Sequence, residues 1–300
     1  MVRGLRMWGW LVVLVGSVAF GQTPAPEPDC SMCAVWNAAQ IPFRIYGNTY
    51  YVGPHGLASI LITSDQGHVL IDGALRESAP LIVQNIQALG FRIEDVKLIV
   101  TSHVHHDHAG GVAELQRLSG AKVVASEWSA AVLKSGGVAK DDPQYGEIRG
   151  IDKVKNVTTL HDGETLRVGP LALTAHATPG HTPGGTSWTW VSCEGERCLN
   201  MVYADSVTAV SVEGYKFTQV PGAIAGFEKS FAFLDSVNCD VLLTPHWEST
   251  GFWDRMEGHR RGMTPDPLLD PLACRKLAQN GWLQLQKRID SERTPKAPGI

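Results

Sequence analysis

The chain has 300 residues, 44% of them hydrophobic, and its 30 acidic side chains outnumber its 26 basic ones to give a net charge of -4. This length and composition suit one large domain with an ample core, and no low-complexity stretch suggests a linker. The charge balance argues against the basic surface that nucleic-acid binding requires, so no nucleic-acid partner is predicted.

The first 21 residues have the features of a secretory signal peptide. Arg3 and Arg6 precede a short apolar run over residues 8–20, and Ala19-Phe-Gly21 offers small residues for cleavage. The run is too short to span a bilayer comfortably, although an uncleaved membrane anchor is the alternative. We therefore expect cleavage near Gly21, a monomeric periplasmic protein free of the membrane, a disordered or extended segment over 22–35, one folded domain over 36–290 and a tail over 291–300.

Six cysteines in an exported chain predict disulfide bonds. Cys193 and Cys198 flank the polar sequence Glu-Gly-Glu-Arg between two predicted strands, and they could close a hairpin. Cys30 and Cys33 form a C-x-x-C pair, for which a local disulfide, free thiols and a zinc site all stay open. A redox-active pair needs a helix N-terminus, and the flanking Pro-rich segment gives no sign of one.

The rest of the chain repeats one pattern in two similar halves, over residues 43–162 and 166–282. Each half begins with alternating strands and contains an apolar strand that ends in an aspartate. An amphipathic helix follows, over residues 80–89 in the first half and 224–237 in the second, and then a strand that leads into a histidine-bearing loop. This order predicts two sheets packed face to face with helices outside them.

The loop Thr101-Ser-His-Val-His-His-Asp-His-Ala-Gly110 holds four potential metal ligands within six residues: His103, His105, Asp107 and His108. Histidine is the commonest transition-metal ligand, and a carboxylate beside histidines suits zinc. An apolar run over residues 96–100 leads into the loop, and His103 and His105 point the same way on extended backbone. A loop of unpaired histidines is the alternative, but chance rarely gives this spacing at the end of a buried strand.

Two later histidines complete the predicted site. His181 lies in Thr178-Pro-Gly-His-Thr-Pro-Gly-Gly185 and His246 lies in Leu242-Leu-Thr-Pro-His246, and each follows an apolar run. Strands that end in ligand-bearing loops present a site at one edge of a sheet. The spacing predicts two zinc ions, one held by His103, His105 and His181 and the other by Asp107, His108 and His246.

The other histidines fit a metal site less well. His176 lies inside a strand pattern, so we predict that it is a packed strand residue. His106 is predicted to line the mouth of the site without binding metal. The remaining four have no ligand neighbours in the sequence: His55, His68, His161 and His259.

These residues resemble the metallo-β-lactamase superfamily, and within it the third subclass of class B β-lactamases. The superfamily resemblance rests on H-x-H-x-D-H with the two later histidines, and the subclass resemblance on further strings across about residues 33–285. Those strings are Ile45-Tyr-Gly-Asn-Thr-Tyr-Tyr51, Ile60-Leu-Ile-Thr63, Gly67-His-Val-Leu-Ile-Asp-Gly73, Thr178–Gly185, Tyr203-Ala-Asp-Ser206 and Leu242–His246. The resemblance implies an α+β fold, a four-layer αβ/βα sandwich with two Zn2+ per chain at one edge of the sheets and no cysteine ligand.

The resemblance also implies an activity. A zinc-bound hydroxide would hydrolyse the β-lactam ring of penicillins, cephalosporins and carbapenems, which confers antibiotic resistance. Zinc lowers the pKa of bound water to about 7, and Asp107 would orient this nucleophile. Relatives use hydroxyls at the positions of Ser206 and Thr208 to bind the substrate carboxylate, although turn capping explains both equally well. Relatives also carry a disulfide like Cys239–Cys274, and their cleft is lined by the segment that contains Trp36.

Three residues depart from the family pattern: Ala74, His106 and Trp247. None of them removes a ligand, but His106 and Trp247 are expected near the substrate. The alternative function on this scaffold is a lactonase or a glyoxalase-II-like thioesterase, enzymes that typically use an additional bridging aspartate. Asp205 is the candidate, and the sequence leaves open whether Asp205 or Ser206 faces the metals. An intact ligand set with an open water position argues against a non-catalytic zinc-binding protein.

Overall fold

The computed structural model describes residues 30–294, which form two β-sheets with helices outside them. The predicted signal peptide, residues 22–29 of the segment after it and residues 295–300 of the predicted tail lie outside the described residues. Among the described helices, none has the length and apolar character that crossing a membrane requires.

The first sheet contains seven strands in chain order: β1 (Phe43–Tyr46), β2 (Thr49–Tyr51), β3 (Ile60–Ile62), β4 (His68–Ile71), β5 (Val96–Val100), β6 (Lys122–Ser126) and β7 (Thr158–Leu160). Strands β1 to β4 are antiparallel, and β4 to β7 are parallel. Parallel strands need long crossover connections. Here these contain α2 (Ala79–Ala88), α3 (His106–Ala109), α4 (Val112–Ser119) and α5 (Glu127–Ser135).

The second sheet contains five strands: β8 (Thr165–Val168), β9 (Leu171–Ala177), β10 (Thr186–Glu194), β11 (Arg197–Tyr203) and β12 (Val241–Leu243). Its pairs are antiparallel except β11 with β12, which are joined through α6 (Ala223–Ser236). Two helices follow, α7 (Phe252–Arg260) and α8 (Ala273–Arg293). The amphipathic helices predicted over 80–89 and 224–237 are confirmed as α2 and α6, shifted by one residue at each end.

The buried apolar side chains form three clusters, which fill the spaces between four layers. Successive side chains of a strand point to opposite faces of its sheet. In β4, Val69 therefore packs between the two sheets, whereas Leu70 packs against the helices of the first half. On the other side, Val202 and Phe231 belong to the cluster between the second sheet and α6 and α8. The predicted four-layer αβ/βα sandwich is confirmed.

Two hydrogen bonds join the sheets beside the histidine loop. The indole Nε1 of Trp188, a fully buried residue, donates to the carbonyl oxygen of Thr101 at 3.0 Å. The backbone N–H of Thr186, at the start of β10, donates to the carbonyl oxygen of Ser102 at 2.8 Å. The carboxyl end of β5 is therefore held against the second sheet, which positions the ligand loop between the two halves.

Three disulfides link the six cysteines. The predicted Cys193–Cys198 bond is confirmed, since these residues lie opposite each other in the β10–β11 hairpin. The predicted Cys239–Cys274 bond is also confirmed, and it ties α8 to the residue two before β12. The open question at the N-terminal pair is answered by a Cys30–Cys33 disulfide. Cys33 begins a short helix, α1 (Cys33–Trp36), although the flanking sequence carries no signal for one.

Candidate metal centre

A buried aspartate, Asp72, anchors the histidine loop. Its carboxylate accepts three hydrogen bonds of 2.7 Å, from the backbone N–H and hydroxyl of Ser102 and from the hydroxyl of Tyr203. Asp72 has a φ of 61°, which is uncommon for a residue with a side chain. Burial raises the pKa of its carboxyl to about 7. Asp72, the residue that follows β4, thus holds the turn from β5 into the ligand loop.

The backbone of the ligand loop changes from extended to helical between His105 and His106. His105 has extended dihedral angles and immediately precedes α3, which contains Asp107 and His108. The extended part and the helical part therefore direct their ligands to two neighbouring positions. A side chain at Gly111 would collide with the carbonyl oxygen of Gly73. The glycines after α3 therefore allow its backbone to lie against the end of β4.

The first ligand group consists of three imidazoles, those of His103, His105 and His181. All three are buried, and their ligand atoms lie within 4.8 Å of one another. His181 comes from the loop after β9, so both sheets contribute to the group. Nε2 of His103 is buried and has no hydrogen-bond partner among the described residues. Buried polar atoms nearly always have a partner, and a metal ion at this convergence would supply one.

Each of these imidazoles uses its other ring nitrogen to contact a protein oxygen. The pairs are His103 Nδ1 with Asp205 Oδ1 at 2.7 Å, His105 Nε2 with Asp142 Oδ2 at 3.0 Å and His181 Nδ1 with the carbonyl oxygen of Thr208 at 2.9 Å. Contacts of this kind fix the tautomer and the orientation of a metal-binding imidazole. They leave one nitrogen of each ring as the atom that would bind metal.

The second ligand group consists of Asp107, His108 and His246. Oδ2 of Asp107 lies 3.1 Å from Nε2 of His108 and 3.2 Å from Nε2 of His246. The two imidazole nitrogens are 3.1 Å apart. Ligand atoms of His103, Asp107 and His108 also lie within 4.8 Å of one another. The two groups therefore adjoin, and the structure brings all six predicted ligands together.

Burial and charge set the protonation states of the site. Burial lowers the pKa of His108 to about 3 and of His181 to about 4, and it holds the pKa of His103 well below its usual value. Burial alone would raise the pKa of Asp107, but His108 and His246 outweigh it and keep that pKa well below the usual range. The imidazoles of His103, His108 and His181 are thus neutral and the carboxylate of Asp107 is ionised at neutral pH, as metal binding requires. Burial opposes protonation of His246 too, but its hydrogen bond to Asp107 and the charge of that carboxylate raise its pKa.

The donor set fits zinc. Imidazole nitrogens and a carboxylate oxygen are ordinary zinc ligands, and three protein ligands per ion leave the open position that a catalytic site needs. Among the described residues, the two groups of potential metal ligands that include His103 contain no cysteine. A metal site at this place is therefore supported by both geometry and chemistry.

Residues 52–194 match the family model of the metallo-beta-lactamase superfamily. The solved structure of the Rm3 metallo-beta-lactamase is 55% identical in sequence and superposes with a TM-score of 0.86, covering 89% of this chain and 100% of that one. The chain belongs to the metallo-β-lactamase superfamily.

A second solved structure bears on the subclass. MEM-A1, a subclass B3 metallo-beta-lactamase from a soil metagenome library, is 46% identical with a TM-score of 0.83 and matches 86% of this chain and 98% of MEM-A1. The predicted third subclass is confirmed. The hydroxyacylglutathione hydrolase of Serratia proteamaculans (strain 568) is 32% identical over 126 residues, 41% of this chain and 39% of that protein. The chain spans about half the length, or less, of the curated relatives it matches.

The loop after β11 lies behind the ligands. Oδ1 of Asp205 contacts the rear nitrogen of His103, and burial raises the pKa of Asp205 to about 6. The hydroxyl of Thr208 lies 3.3 Å from His181 Nδ1. Asp205 therefore supports a ligand from behind. Binding of substrate by Ser206 and Thr208 stays a prediction.

The expectation that Trp247 lies near the substrate is wrong. Trp247 is 1% exposed, its ring centroid lies 4.1 Å from that of Phe252, and its Nε1 donates to the hydroxyl of Tyr51 at 3.2 Å. Because Trp247 directly follows His246, the chain turns the two side chains in different directions. The indole joins the core between the sheets instead of the cleft.

His176 and His106 were both predicted not to bind metal, and the structure places them in different surroundings. His176 is confirmed as a packed strand residue, because its ring stacks on Phe233 with centroids 4.3 Å apart and its Nε2 lies 2.9 Å from the Thr189 hydroxyl. His106 joins neither ligand group. It lies beside the Cys30–Cys33 pair at the N-terminal end of the described chain.

Sequence reasoning missed Asp142, although the structure places it against a ligand. Asp142 lies in the irregular loop over residues 136–157 between α5 and β7, and it is 3% exposed. No motif or periodic pattern marks an acid in such a loop, so the sequence carried no signal for it.

Trp36 lies beside the second ligand group, with its ring centroid 5.4 Å from that of His246.

Proposed function

We propose that this protein hydrolyses the β-lactam ring of penicillins, cephalosporins and carbapenems, and so confers antibiotic resistance. The observation that carries the proposal is the convergence of two complete three-ligand groups in one site. Similarity to Rm3 metallo-beta-lactamase across the whole of that chain supports it. Two Zn2+ per chain are part of the proposal, one for each ligand group.

The chain's own residues have separate tasks in this reaction. One ion would be held by the first ligand group, which consists of His103, His105 and His181. The other would be held by the second ligand group, which contains Asp107. Zinc bound there would lower the pKa of water to about 7 and polarise the carbonyl of the strained cyclic amide. Oδ2 of Asp107 faces His108 and His246. Its Oδ1 would therefore orient the attacking water.

Substrate binding falls to the residues around the ligands. Ser206 and Thr208 lie on the loop after β11, and their hydroxyls would bind the substrate carboxylate. Trp36 would contact the substrate from the other side, because its indole lies beside His246. The exposed part of His246, 30% of its side chain, indicates that the second ligand group is the more accessible one.

The cellular setting is also a proposal. The N-terminal sequence supports export with cleavage near Gly21 and a monomeric periplasmic enzyme. The disulfides support an oxidising compartment. N-terminal sequencing of protein from the periplasmic fraction should begin near Gln22. Full-length protein held in the membrane fraction would contradict cleavage.

A thioesterase or lactonase is the second candidate, and the match to a hydroxyacylglutathione hydrolase favours it. Such an enzyme would use Asp205 as a bridging ligand. Here Oδ1 of Asp205 lies 2.7 Å from the rear nitrogen of His103, whereas Oδ2 has no partner among the described residues. The contact with His103 supports the lactamase over this alternative, because it gives Asp205 a task outside the ligand groups.

Turnover measurements on one purified preparation would separate the candidates. We expect hydrolysis of at least one penicillin, cephalosporin or carbapenem, loss of activity with chelators and insensitivity to serine-directed inhibitors. S-lactoylglutathione and an acyl-homoserine lactone should be assayed in parallel, and the ratio of kcat/KM values decides between the activities. If β-lactams stay intact while a thioester or lactone turns over, the lactamase proposal fails.

A further inference from the structure

His106 is largely buried, in a position that the proposed reaction does not use. Its side chain is 11% exposed, and neither ring nitrogen has a hydrogen-bond partner among the described residues. The carboxylate oxygen of Asp107 lies 3.9 Å from Nδ1, which is too far for a hydrogen bond. A buried polar group without a partner destabilises a protein and is rare in native structures. Both ring nitrogens of His106 are therefore available to bind a ligand.

Two sulfur atoms are the nearest soft ligands to this imidazole. A ring nitrogen of His106 and the Sγ atoms of Cys30 and Cys33 lie within 4.8 Å of one another. Cys33 is buried, and Nη1 of Arg149 lies 3.9 Å from its Sγ. A guanidinium group beside a cysteine favours the thiolate over the thiol. A small cavity of about 30 Å³ borders both His106 and Arg149.

We propose that reduction of the Cys30–Cys33 disulfide creates a further metal site, in which two thiolates and the His106 imidazole bind zinc or another thiophilic divalent cation. A dithiol reductant would give two electrons and two protons to the disulfide, forming two thiols and its own cyclic disulfide. The cation would then displace one proton from each thiol. Cysteine and histidine are the ligands of structural zinc sites, and three of them leave one position for water.

The placement of the three ligands gives the site a structural consequence. Cys30 and Cys33 belong to the segment that carries α1, whereas His106 begins α3, the helix of the main ligand loop. A shared cation would link these two segments directly. In the oxidised protein the disulfide closes only the local turn, and Cys33 N–H donates to the carbonyl oxygen of Cys30 at 3.3 Å.

Cobalt(II) binding tests the site without reference to activity. The mature protein is loaded with cobalt, treated under native conditions with a phosphine reductant, and titrated with more cobalt. Thiols are located by alkylation and peptide mapping. We expect reduction to add one cobalt per chain together with a sulfur-to-cobalt charge-transfer band. Replacing Cys30 and Cys33 with serine should abolish both changes and leave the original cobalt content unchanged.

Two further variants make the result specific. Replacing Cys193 and Cys198 with serine removes an exposed disulfide of similarly short span, and the new band should persist. His106→Asn should keep the thiols but weaken binding of the added cobalt by on the order of tenfold or more. The proposal is overturned if Cys30 and Cys33 resist reduction, if their free thiols produce no band, or if the band survives when both are serine.

Discussion

Asp142→Asn tests whether the loop over residues 136–157 positions a metal ligand. Oδ2 of Asp142 lies 3.0 Å from Nε2 of His105, and both side chains are at most 4% exposed. Asparagine keeps the size and an oxygen that can accept the backbone N–H of Gln144, now bound at 2.8 Å. It removes the charge that polarises the imidazole. Such outer contacts contribute about 10- to 100-fold to metal affinity, which corresponds to about 1.4–2.8 kcal/mol.

The affinity should be measured by competition with a chromophoric zinc chelator, and kcat should be measured at saturating zinc. Asp141→Asn is the matched control, because the neighbouring Asp141 is exposed and accepts a hydrogen bond from Trp128 Nε1 at 2.9 Å. We expect weaker zinc binding only in Asp142→Asn. Wild-type affinity in that variant would refute the reasoning, and equal losses in both variants would indicate general disturbance of the loop.

Four other outcomes follow from the structure. Elemental analysis should find close to two zinc ions per chain, and a value of one that added zinc does not raise would contradict the dinuclear centre. His181→Ala or His246→Ala should lower zinc content and nearly abolish turnover, whereas His176→Ala should keep its zinc, because His176 packs on a strand. Replacing Cys239 and Cys274 with serine should lower the unfolding free energy by about 2–5 kcal/mol, measured by chemical denaturation. Trp247→Ala should destabilise by about 3–5 kcal/mol with KM unchanged, and a changed KM at full stability would contradict its place in the core.

The ligands could be predicted because their signal is local. His103 and His105 are two apart at the end of an apolar strand, and strand geometry alone directs both to one side. His181 and His246 also follow strands, so the sheet edge brings them to the same place. The helices α2 and α6 were predicted to within one residue because amphipathic periodicity depends on the chain's own pattern.

The supporting residues could not be predicted, because their roles depend on tertiary packing. Asp142 is 37 positions from His105, in a loop without periodicity. Trp247 follows a ligand directly, and sequence adjacency suggested the cleft, but the turn after His246 sends the indole into the core. Residues 33–35 were expected to be disordered or extended, whereas α1 begins at Cys33, and four residues are too few to give a periodic signal.

The ligand set by itself does not define this metal centre. The part of the chain that matches the family model ends at residue 194. It contains His103 and His181, but their rear oxygens come from Asp205 and Thr208, beyond that limit. His246 also lies beyond it. Because a metal-binding imidazole needs a fixed tautomer and orientation, residues beyond position 194 determine how His103 and His181 present their nitrogens. The specific properties of the site therefore depend on the loop after β11 as much as on the histidine motif.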